Sequence, residues 1–311
     1  PDPGPGQVRI AVAASGVHLL DTVLRAGLPG PTAARAELPT IPGREVAGTV
    51  EALGEGVDEG WLGRRVVAHL GNVPGGYAEL AVTATSRLHD VPEALDEAAA
   101  VAMIGTGRTT LGIVQFADLG KGDIALVPAS AGGIGTLLVQ YAKNAGAIVV
   151  GLAGGPAKTE HTAANGADLA VDYTARDWPE RLDVFLGGSR ATVLFDSVGG
   201  DIARTLAGFL DRNGKHLVFG WSSEGPAGAP SAPRPAPAAP APGGIASQAV
   251  LGPVMLDRAG GIRVLENRAL AEAAEGRLRP AVRRVALADA AVAHRLLETR
   301  ATIGKVVLVT G

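Results

Sequence analysis

A glycine-rich stretch carries the most specific chemistry in this sequence. Ala129, Gly132 and Gly135 follow the apolar run Ile124–Pro128 and open a segment of helical composition. A turn without side chains lets the backbone approach a diphosphate, and the next helix offers unpaired N–H groups and the positive end of its dipole. Such a turn can also serve close packing alone. The strand before it, the helix after it and a second strand at the expected distance favour a dinucleotide site.

The end of the second strand indicates which dinucleotide would bind. NAD sites place Asp or Glu there to accept from the ribose 2′-hydroxyl. Residues 152–158 contain no carboxylate, and they end at Lys158. A cation suits the 2′-phosphate of NADPH, although a solvated lysine in a first helical turn is also common. The sequence favours NADPH.

Four further side chains are candidates for a reaction site, each with a structural alternative. His18 is either a hydrogen-bond donor and proton relay or a packing histidine. Asp21 either orients His18 or caps the following turn, and capping is the commoner role. Arg108 either anchors an acidic group or forms a structural ion pair. Trp221 either walls the nicotinamide pocket or covers core surface.

The elements that must position these residues change in type along the chain. Residues 8–82 alternate apolar and polar residues in short runs separated by glycine turns, which predicts a small β domain. Its strands are predicted at Val8–Val12, Val46–Leu53, Arg65–His69 and Tyr77–Val82. From Asp96 onward, helices and strands alternate, which predicts a parallel, doubly wound sheet. Its predicted strands are Ile124–Pro128, Ile148–Leu152, Val193–Asp196 and His216–Gly220, and a last strand is predicted at Lys305–Val309.

Composition limits the possible classes. The 311 residues suffice for two domains, and a net charge of −3 argues against nucleic acid as a partner. No apolar run approaches the roughly 20 residues of a membrane span, and no signal peptide opens the chain, so cytoplasm is expected. The chain opens at Pro1 and leads straight into a strand, so an N-terminal stretch is expected to be missing. Residues 226–242 are rich in proline and alanine and predict an exposed, extended loop.

Several motifs in order resemble the zinc-independent medium-chain dehydrogenases/reductases, the superfamily of quinone oxidoreductases and enoyl reductases. The resemblance covers essentially the whole chain. The A-x-x-G-x-x-G motif is met at 129–135, and the other matching segments are Ala14–Thr22, Pro42–Gly48, Phe195–Gly200 and Ile303–Leu308. The chain departs from the family pattern at His18 (usually Asn), at Val23 (Tyr in some quinone reductases) and at Thr106, which is displaced by one position.

The resemblance implies an α/β architecture: a GroES-like β domain beside a Rossmann domain, with the active site in the cleft. The implied boundaries are 1–95 for the GroES-like part, 96–245 for the Rossmann domain, and 246–311 for its end and the return to the first domain. The cofactor residues it implies are Ser130, Ala131, Gly132, Gly133, Ile134, Gly135, Gly154, Lys158, Tyr173, Ser197, Val198, Gly199, Phe219, Gly220, Trp221 and Lys305. A homodimer is implied in the same way.

A metal is not expected. Zinc enzymes of this superfamily use Cys, His and Cys ligands; Arg44 stands where that His would be, and the chain has no cysteine. His18, Glu45 and His69 could form an improvised site, but histidines in a cleft more often serve as hydrogen-bonding groups. Alcohol oxidation needs a Lewis acid for the alkoxide, whereas an enolate or hydroquinone oxygen needs only hydrogen-bond donors.

The sequence therefore predicts a zinc-free, NADPH-dependent reductase of quinones or α,β-unsaturated carbonyl compounds, with His18 and Asp21 as candidate catalytic residues. Two alternatives stay open: a metal-free ketone or aldehyde reductase, and a non-catalytic NADPH-binding sensor or structural protein.

Overall fold

The computed structural model describes residues 1–28, 37–71, 75–220, 222 and 245–311. These residues form two compact units: residues 1–108 with 266–311, and residues 109–265. The predicted loop at 226–242 and the predicted cofactor residue Trp221 lie outside the described residues.

The elements follow one another in this order: β1 (Gln7–Gly16), α1 (Leu19–Arg25), β2 (Glu45–Leu53), β3 (Arg65–His69), β4 (Leu80–Ala84), β5 (Leu88–Asp90), α2 (Glu97–Ala102), a π-helical turn (Met103–Gly107), α3 (Arg108–Val114), β6 (Ile124–Pro128), α4 (Gly133–Asn144), β7 (Ile148–Ala153), α5 (Pro156–Ala164), β8 (Leu169–Asp172), α6 (Trp178–Leu186), β9 (Ala191–Asp196), α7 (Gly200–Ala207), β10 (Leu210–Val218), β11 (Ser247–Ala249), α8 (Pro253–Ala259), α9 (Ile262–Ala274), β12 (Val282–Ala286), α10 (Ala290–Glu298) and β13 (Lys305–Val309).

The first unit is built on a sheet in the order β12-β13-β1-β2-β3-β5, with β4 also paired to β1. Alternate residues of β1 are buried, as period-two patterning requires of a strand with one face in a core. Val8, Ile10 and Val12 form this core together with Val46 and Val66. The C-terminal strand β13 pairs antiparallel with β1, so the tail of the chain completes the N-terminal sheet.

The second unit is a six-stranded sheet in the order β11-β10-β9-β6-β7-β8, and the predicted parallel, doubly wound arrangement is confirmed. The central strand β6 is buried at every position, as parallel strands covered on both faces are. The chain order reverses between β6 and β9, which are neighbours in the sheet. Ligands of such sheets bind beyond the carboxyl ends of the strands at this switch point.

Several strand boundaries differ from the sequence prediction, and those of β4 and β10 have a visible cause. β4 begins at Leu80 rather than Tyr77, because Tyr77 N–H bonds the Pro42 carbonyl and Ala78 N–H bonds the Gly76 carbonyl in a turn. β10 begins at Leu210 and ends at Val218, since Leu210 already pairs with Ala191 before an irregular stretch.

Candidate functional site

The turn between β6 and α4 is fixed from inside the protein. Ser130 is fully buried; its N–H and its hydroxyl both donate to the Leu152 carbonyl at 3.0 Å, and its Oγ lies 2.7 Å from Thr162 Oγ1. The Ser130 side chain therefore ties the turn to the end of β7. The backbone N–H groups of the residues that follow open helix α4 and lack partners within the helix.

Glycine at position 135 is required by packing. A Cβ there would overlap the Ala129 carbonyl oxygen and lie 2.7 Å from Ser130 Cα. Gly132 is the N-cap of α4 and makes no side-chain cap, so the first N–H groups of the helix keep their hydrogen-bonding capacity. A cradle of backbone N–H groups at a helix N-terminus fits the diphosphate of a dinucleotide.

The end of β7 has no acidic side chain of its own. Gly154 lies against Tyr173, whose Cε2 would be 3.2 Å from a Cβ at position 154. Lys158 is half-buried in the first turn of α5. Asp172, at the end of the neighbouring β8, accepts from Gly155 N–H at 3.0 Å and from Thr174, and these hydrogen bonds lower the pKa of its carboxyl group. The Asp172 carboxylate is thus already engaged in hydrogen bonds within the protein.

The turn after β9 is held by a chain of buried hydrogen bonds that the sequence did not predict. Asp196 Oδ1 accepts from Val198 N–H and Gly199 N–H, both at 2.9 Å. Asp196 Oδ2 lies 3.0 Å from His216 Nε2, and His216 Nδ1 lies 2.8 Å from Ser247 Oγ. The Phe195–Gly200 motif included Asp196, whereas nothing in the sequence indicated that His216 and Ser247 would join it.

The structure brings most of the predicted cofactor residues to the carboxyl ends of β6, β7, β8, β9 and β10. Those at this edge are Ser130, Ala131, Gly132, Gly133, Ile134, Gly135, Gly154, Lys158, Tyr173, Ser197, Val198, Gly199, Phe219 and Gly220. Lys305 belongs to the first unit, where its side chain has other partners.

Glu45 is the most unusual side chain of the first unit. It is fully buried at the start of β2, between two glycines: a Cβ at Gly16 or at Gly105 would overlap its carboxylate oxygens. Glu45 Oε1 lies 2.7 Å from His18 Nε2, and Oε2 lies 3.0 Å from Lys305 Nζ. These are ion-pair distances, although neither contact is aligned as a hydrogen bond. Burial raises the pKa of Glu45, but His18 and Lys305 together hold it well below its ordinary value.

His18 connects this buried pair to the surface. Its side chain is 35% exposed, and the same Nε2 that approaches Glu45 lies 2.9 Å from Lys305 Nζ. Nε2 thus lies between the Glu45 carboxylate and the Lys305 ammonium group, and an unprotonated Nε2 accepts a hydrogen bond from Lys305.

Asp21 positions the helix rather than the imidazole. His18 is the N-cap of α1, and Asp21 Oδ2 accepts from the His18 backbone N–H at 2.8 Å, the capping geometry expected of an acid at N3. The same oxygen accepts from the Tyr77 hydroxyl at 2.9 Å. The Tyr77 oxygen also lies 3.2 Å from His294 Nε2, while His294 Nδ1 is 3.0 Å from Arg25. Because arginine only donates, His294 carries its proton on Nε2 and donates to Tyr77.

Tyr77→Phe tests this chain of hydrogen bonds. Burial, followed by the Asp21 charge, raises the pKa of Tyr77, so its hydroxyl remains a donor. Removal of that hydroxyl should lower the free energy of unfolding by about 1.5–3 kcal/mol, the usual value for a hydrogen bond to a charged group. Tyr141→Phe, at a half-buried tyrosine of α4, is the control and should change it by less than about 0.5 kcal/mol. Equal effects in denaturant unfolding would contradict the network.

Arg108 and two histidines are further ionisable side chains of this unit. Arg108 Nη1 lies 2.6 Å from Glu266 Oε1, and Glu266 Oε2 lies 3.1 Å from His89 Nε2. Arg108 thus makes the structural ion pair that was one of its two predicted roles. His69, at the end of β3, has its pKa lowered to about 4 by burial, then by the Arg108 charge.

No group of three histidine or acidic side chains in the described part of the chain is arranged to hold a metal ion. Among the same residues, no helix has the length and apolar character needed to cross a membrane.

Comparison with known proteins decides the family. Residues 4–93 match the alcohol dehydrogenase GroES-like domain family, and residues 133–236 match the family described as zinc-binding dehydrogenase. A quinone oxidoreductase of Pseudomonas aeruginosa is 32% identical over 99% of this chain and 92% of its own. This chain belongs to the quinone oxidoreductase-like medium-chain dehydrogenases/reductases.

Other members of the family extend the likeness. A 2-haloacrylate reductase of a Burkholderia species is 33% identical over 71% of this chain and 67% of its own. The crystal structure of Escherichia coli quinone oxidoreductase complexed with NADPH is 27% identical and superposes with a TM-score of 0.81 over 99% of this chain and 93% of that one. The predicted GroES-like domain and Rossmann-type sheet of this family member are thereby confirmed.

Proposed function

We propose that this quinone oxidoreductase-like protein is an NADPH-dependent reductase of quinones or α,β-unsaturated carbonyl compounds. The observation that carries the proposal is the β6–α4 turn. Gly135 lets the start of α4 pack directly against the backbone of Ala129 and Ser130, and the N–H groups at the start of the helix are not capped by a side chain and can bind a diphosphate. This turn and the turn after β9 stand on either side of the sheet's switch point.

The choice of NADPH rests on the end of β7. Residues 152–158 offer no carboxylate to a ribose 2′-hydroxyl, and Lys158 offers a cation to a 2′-phosphate. Solved relatives bound to NADPH include the Escherichia coli enzyme and a mycobacterial protein that is 30% identical, with a TM-score of 0.81.

The proposed substrate class follows from the negative charge that forms on the substrate oxygen when a hydride is added. NADPH, when bound, supplies a hydride. An enone or quinone that accepts it places the new charge on an oxygen that hydrogen-bond donors can stabilise. The relative named 2-haloacrylate reductase bears the name of an activated C=C substrate. His18 is proposed to give a proton to the reduced product, while Glu45 and Lys305 hold its Nε2 inside the protein.

Turnover assays test the proposal. NADPH oxidation is followed by absorbance with a panel of small quinones, enones and simple ketones. Turnover of quinones or enones is expected. Turnover of ketones alone would support the metal-free ketone reductase instead, and saturable NADPH binding without turnover would support the sensor. No affinity for either nicotinamide nucleotide would overturn the proposal.

Lys158→Ala tests the choice of nucleotide. The variant should weaken NADPH binding by about tenfold or more, the equivalent of one charge-assisted hydrogen bond, and leave NADH binding nearly unchanged. Titration of both nucleotides by fluorescence measures the two constants. Lys121→Ala, at an exposed lysine of the same unit, is the control and should alter neither. Equal losses for NADPH and NADH would contradict the role of Lys158.

A homodimer and a cytoplasmic location stay predictions.

A further inference from the structure

Thr162, in α5, joins two parts of the proposed nucleotide site within the second unit. Its side chain is fully buried, and its Oγ1 lies 2.7 Å from Ser130 Oγ in the β6–α4 turn. The same Oγ1 lies 2.9 Å from the carbonyl oxygen of Lys158, one helical turn earlier in α5. One hydroxyl group therefore contacts both the turn proposed for the diphosphate and the residue proposed for the 2′-phosphate.

Close packing holds α5 in place around this contact. A Cβ at Gly151, in β7, would lie 2.3 Å from Thr162 Cγ2 and 3.2 Å from Ser130 Oγ, so a larger residue does not fit between the two side chains. The residue before Thr162 makes a second contact of the same kind, since His161 Nε2 lies 3.1 Å from Oγ1 of Thr136 near the start of α4. Helix α5 is thus attached to the start of α4 as well as to β7.

This attachment bears on the choice between NADPH and NADH. The diphosphate is common to both nucleotides, and the 2′-phosphate distinguishes them. When two contacts belong to one rigid site, the second is made at a high effective concentration, and it contributes less if the spacing becomes variable. The Thr162 hydroxyl keeps the backbone of Lys158 at a constant distance from Ser130.

We infer that Thr162 is a positioning residue that fixes the spacing between the β6–α4 turn and Lys158, and so makes the protein select a nucleotide with a 2′-phosphate. This inference rests on the proposed function and on the role proposed there for Lys158. Because its side chain is fully buried, Thr162 acts through Ser130 and Lys158 rather than on the nucleotide itself.

Thr162→Val and Thr162→Ser separate the hydroxyl group from the packing. Valine keeps the shape and removes the hydroxyl, so NADPH binding should weaken about three- to tenfold, the equivalent of one hydrogen bond, while NADH binding changes less than about twofold. Serine keeps the hydroxyl and removes the methyl group beside Gly151, so the midpoint of thermal unfolding should fall while the preference for NADPH stays. A merely structural role would change the binding of both nucleotides equally.

Thr192→Val is the matched control. Thr192 is a half-buried threonine at the amino end of β9, on the opposite edge of the same sheet, and its Oγ1 accepts from Ile124 N–H at 3.1 Å. Its replacement also removes a hydroxyl that bonds the backbone, and it should leave the ratio of NADPH to NADH affinity unchanged.

Thr162→Val combined with Lys158→Ala tests whether Thr162 acts through Lys158. The double variant should bind NADPH no more weakly than Lys158→Ala alone, because the contact that Thr162 positions is already gone. Additive losses would show that the two residues act independently and would overturn the inference. Fluorescence titration of both nucleotides measures all of these constants without turnover.

The outcomes separate this inference from the proposed function. If the natural protein prefers NADPH and Lys158→Ala removes that preference while Thr162→Val keeps it, the inference is overturned and the function stands. Loss of the preference in Thr162→Val, without turnover of any quinone or enone, would support the inference and overturn the reductase. A natural protein without a preference for NADPH, or without affinity for either nucleotide, would overturn the inference together with the proposed choice of nucleotide.

Discussion

Glu45→Gln is expected to lower the free energy of unfolding by about 3–5 kcal/mol, the cost of removing one partner from a buried ion pair. Glutamine has nearly the shape of glutamate, so the fit between Gly16 and Gly105 is kept and the charge alone is lost. The Lys305 ammonium, 7% exposed, would then be left in the core with no carboxylate. Urea unfolding at pH 7 measures the difference.

The pH dependence of the same variant gives an independent test. The pKa of Glu45 is lower in the folded protein than its ordinary value of 4.5, so the unfolded chain binds the proton more readily. The stabilising contribution is therefore fully present above pH 4.5 and is lost as pH falls through the folded-state pKa. The stability gap between the natural protein and Glu45→Gln should be largest near neutral pH and should close in acid. A gap independent of pH would show that lost packing, rather than lost charge, caused the effect.

Two controls separate burial from charge. Asp201→Asn breaks the exposed Arg204–Asp201 pair and should cost less than about 1 kcal/mol. Glu45→Met combined with Lys305→Met removes both charges and should recover much of the loss, because apolar replacement of a whole buried pair is often close to neutral. If the double variant were as unstable as the sum of its single variants, the two side chains would not be coupled, and the ion-pair explanation would fail.

The parts of the fold that sequence predicted well are those with strong periodicity. β6 was predicted to the residue and α4 was predicted as the helix that follows it, because a fully apolar strand followed by a glycine turn and a helical segment has few alternative structures. β12 was missed because its sequence, Val282 to Ala286, is half polar. It exists through parallel pairing with β13, a long-range contact that no local pattern encodes.

In the candidate site, too, the sequence predicted what a local motif encodes and missed what depends on contacts between distant residues. The glycines of the β6–α4 turn were found because a motif fixes their spacing. Helix α1, which His18 caps, was not predicted from the sequence. The Lys305 contact with Glu45 joins residues 260 positions apart in sequence. Lys305 was assigned to the cofactor by resemblance, whereas the described contacts of its ammonium are with Glu45 and His18.

Gly135→Ala is expected to have the largest effect on nucleotide binding. The added methyl group would overlap the Ala129 carbonyl oxygen and crowd Ser130 Cα. Both neighbours are backbone atoms, so the turn itself must move. Ala129 already has a positive φ of 53°, and Ser130 is bound to Leu152 and Thr162, which leaves the turn little freedom to adjust. Overpacking of this kind costs about 1–3 kcal/mol of stability, and NADPH affinity should fall by tenfold or more as the N–H groups shift.

Comparison with two other glycines shows why the position matters more than the residue type. Gly208→Ala, at the end of α7, places its methyl group 3.2 Å from one carbonyl oxygen with φ of −65°, and should change neither stability nor affinity appreciably. Gly132→Ala meets only the Ala129 carbonyl, at 3.3 Å, with φ of −76°, so the fold should survive while the methyl group occupies the cradle. Thermal unfolding and NADPH titration of all three variants distinguish the cases. If Gly135→Ala bound NADPH as the natural protein does, the β6–α4 turn would not be the diphosphate site, because a turn forced to move by its own packing cannot keep its N–H groups on the same phosphates.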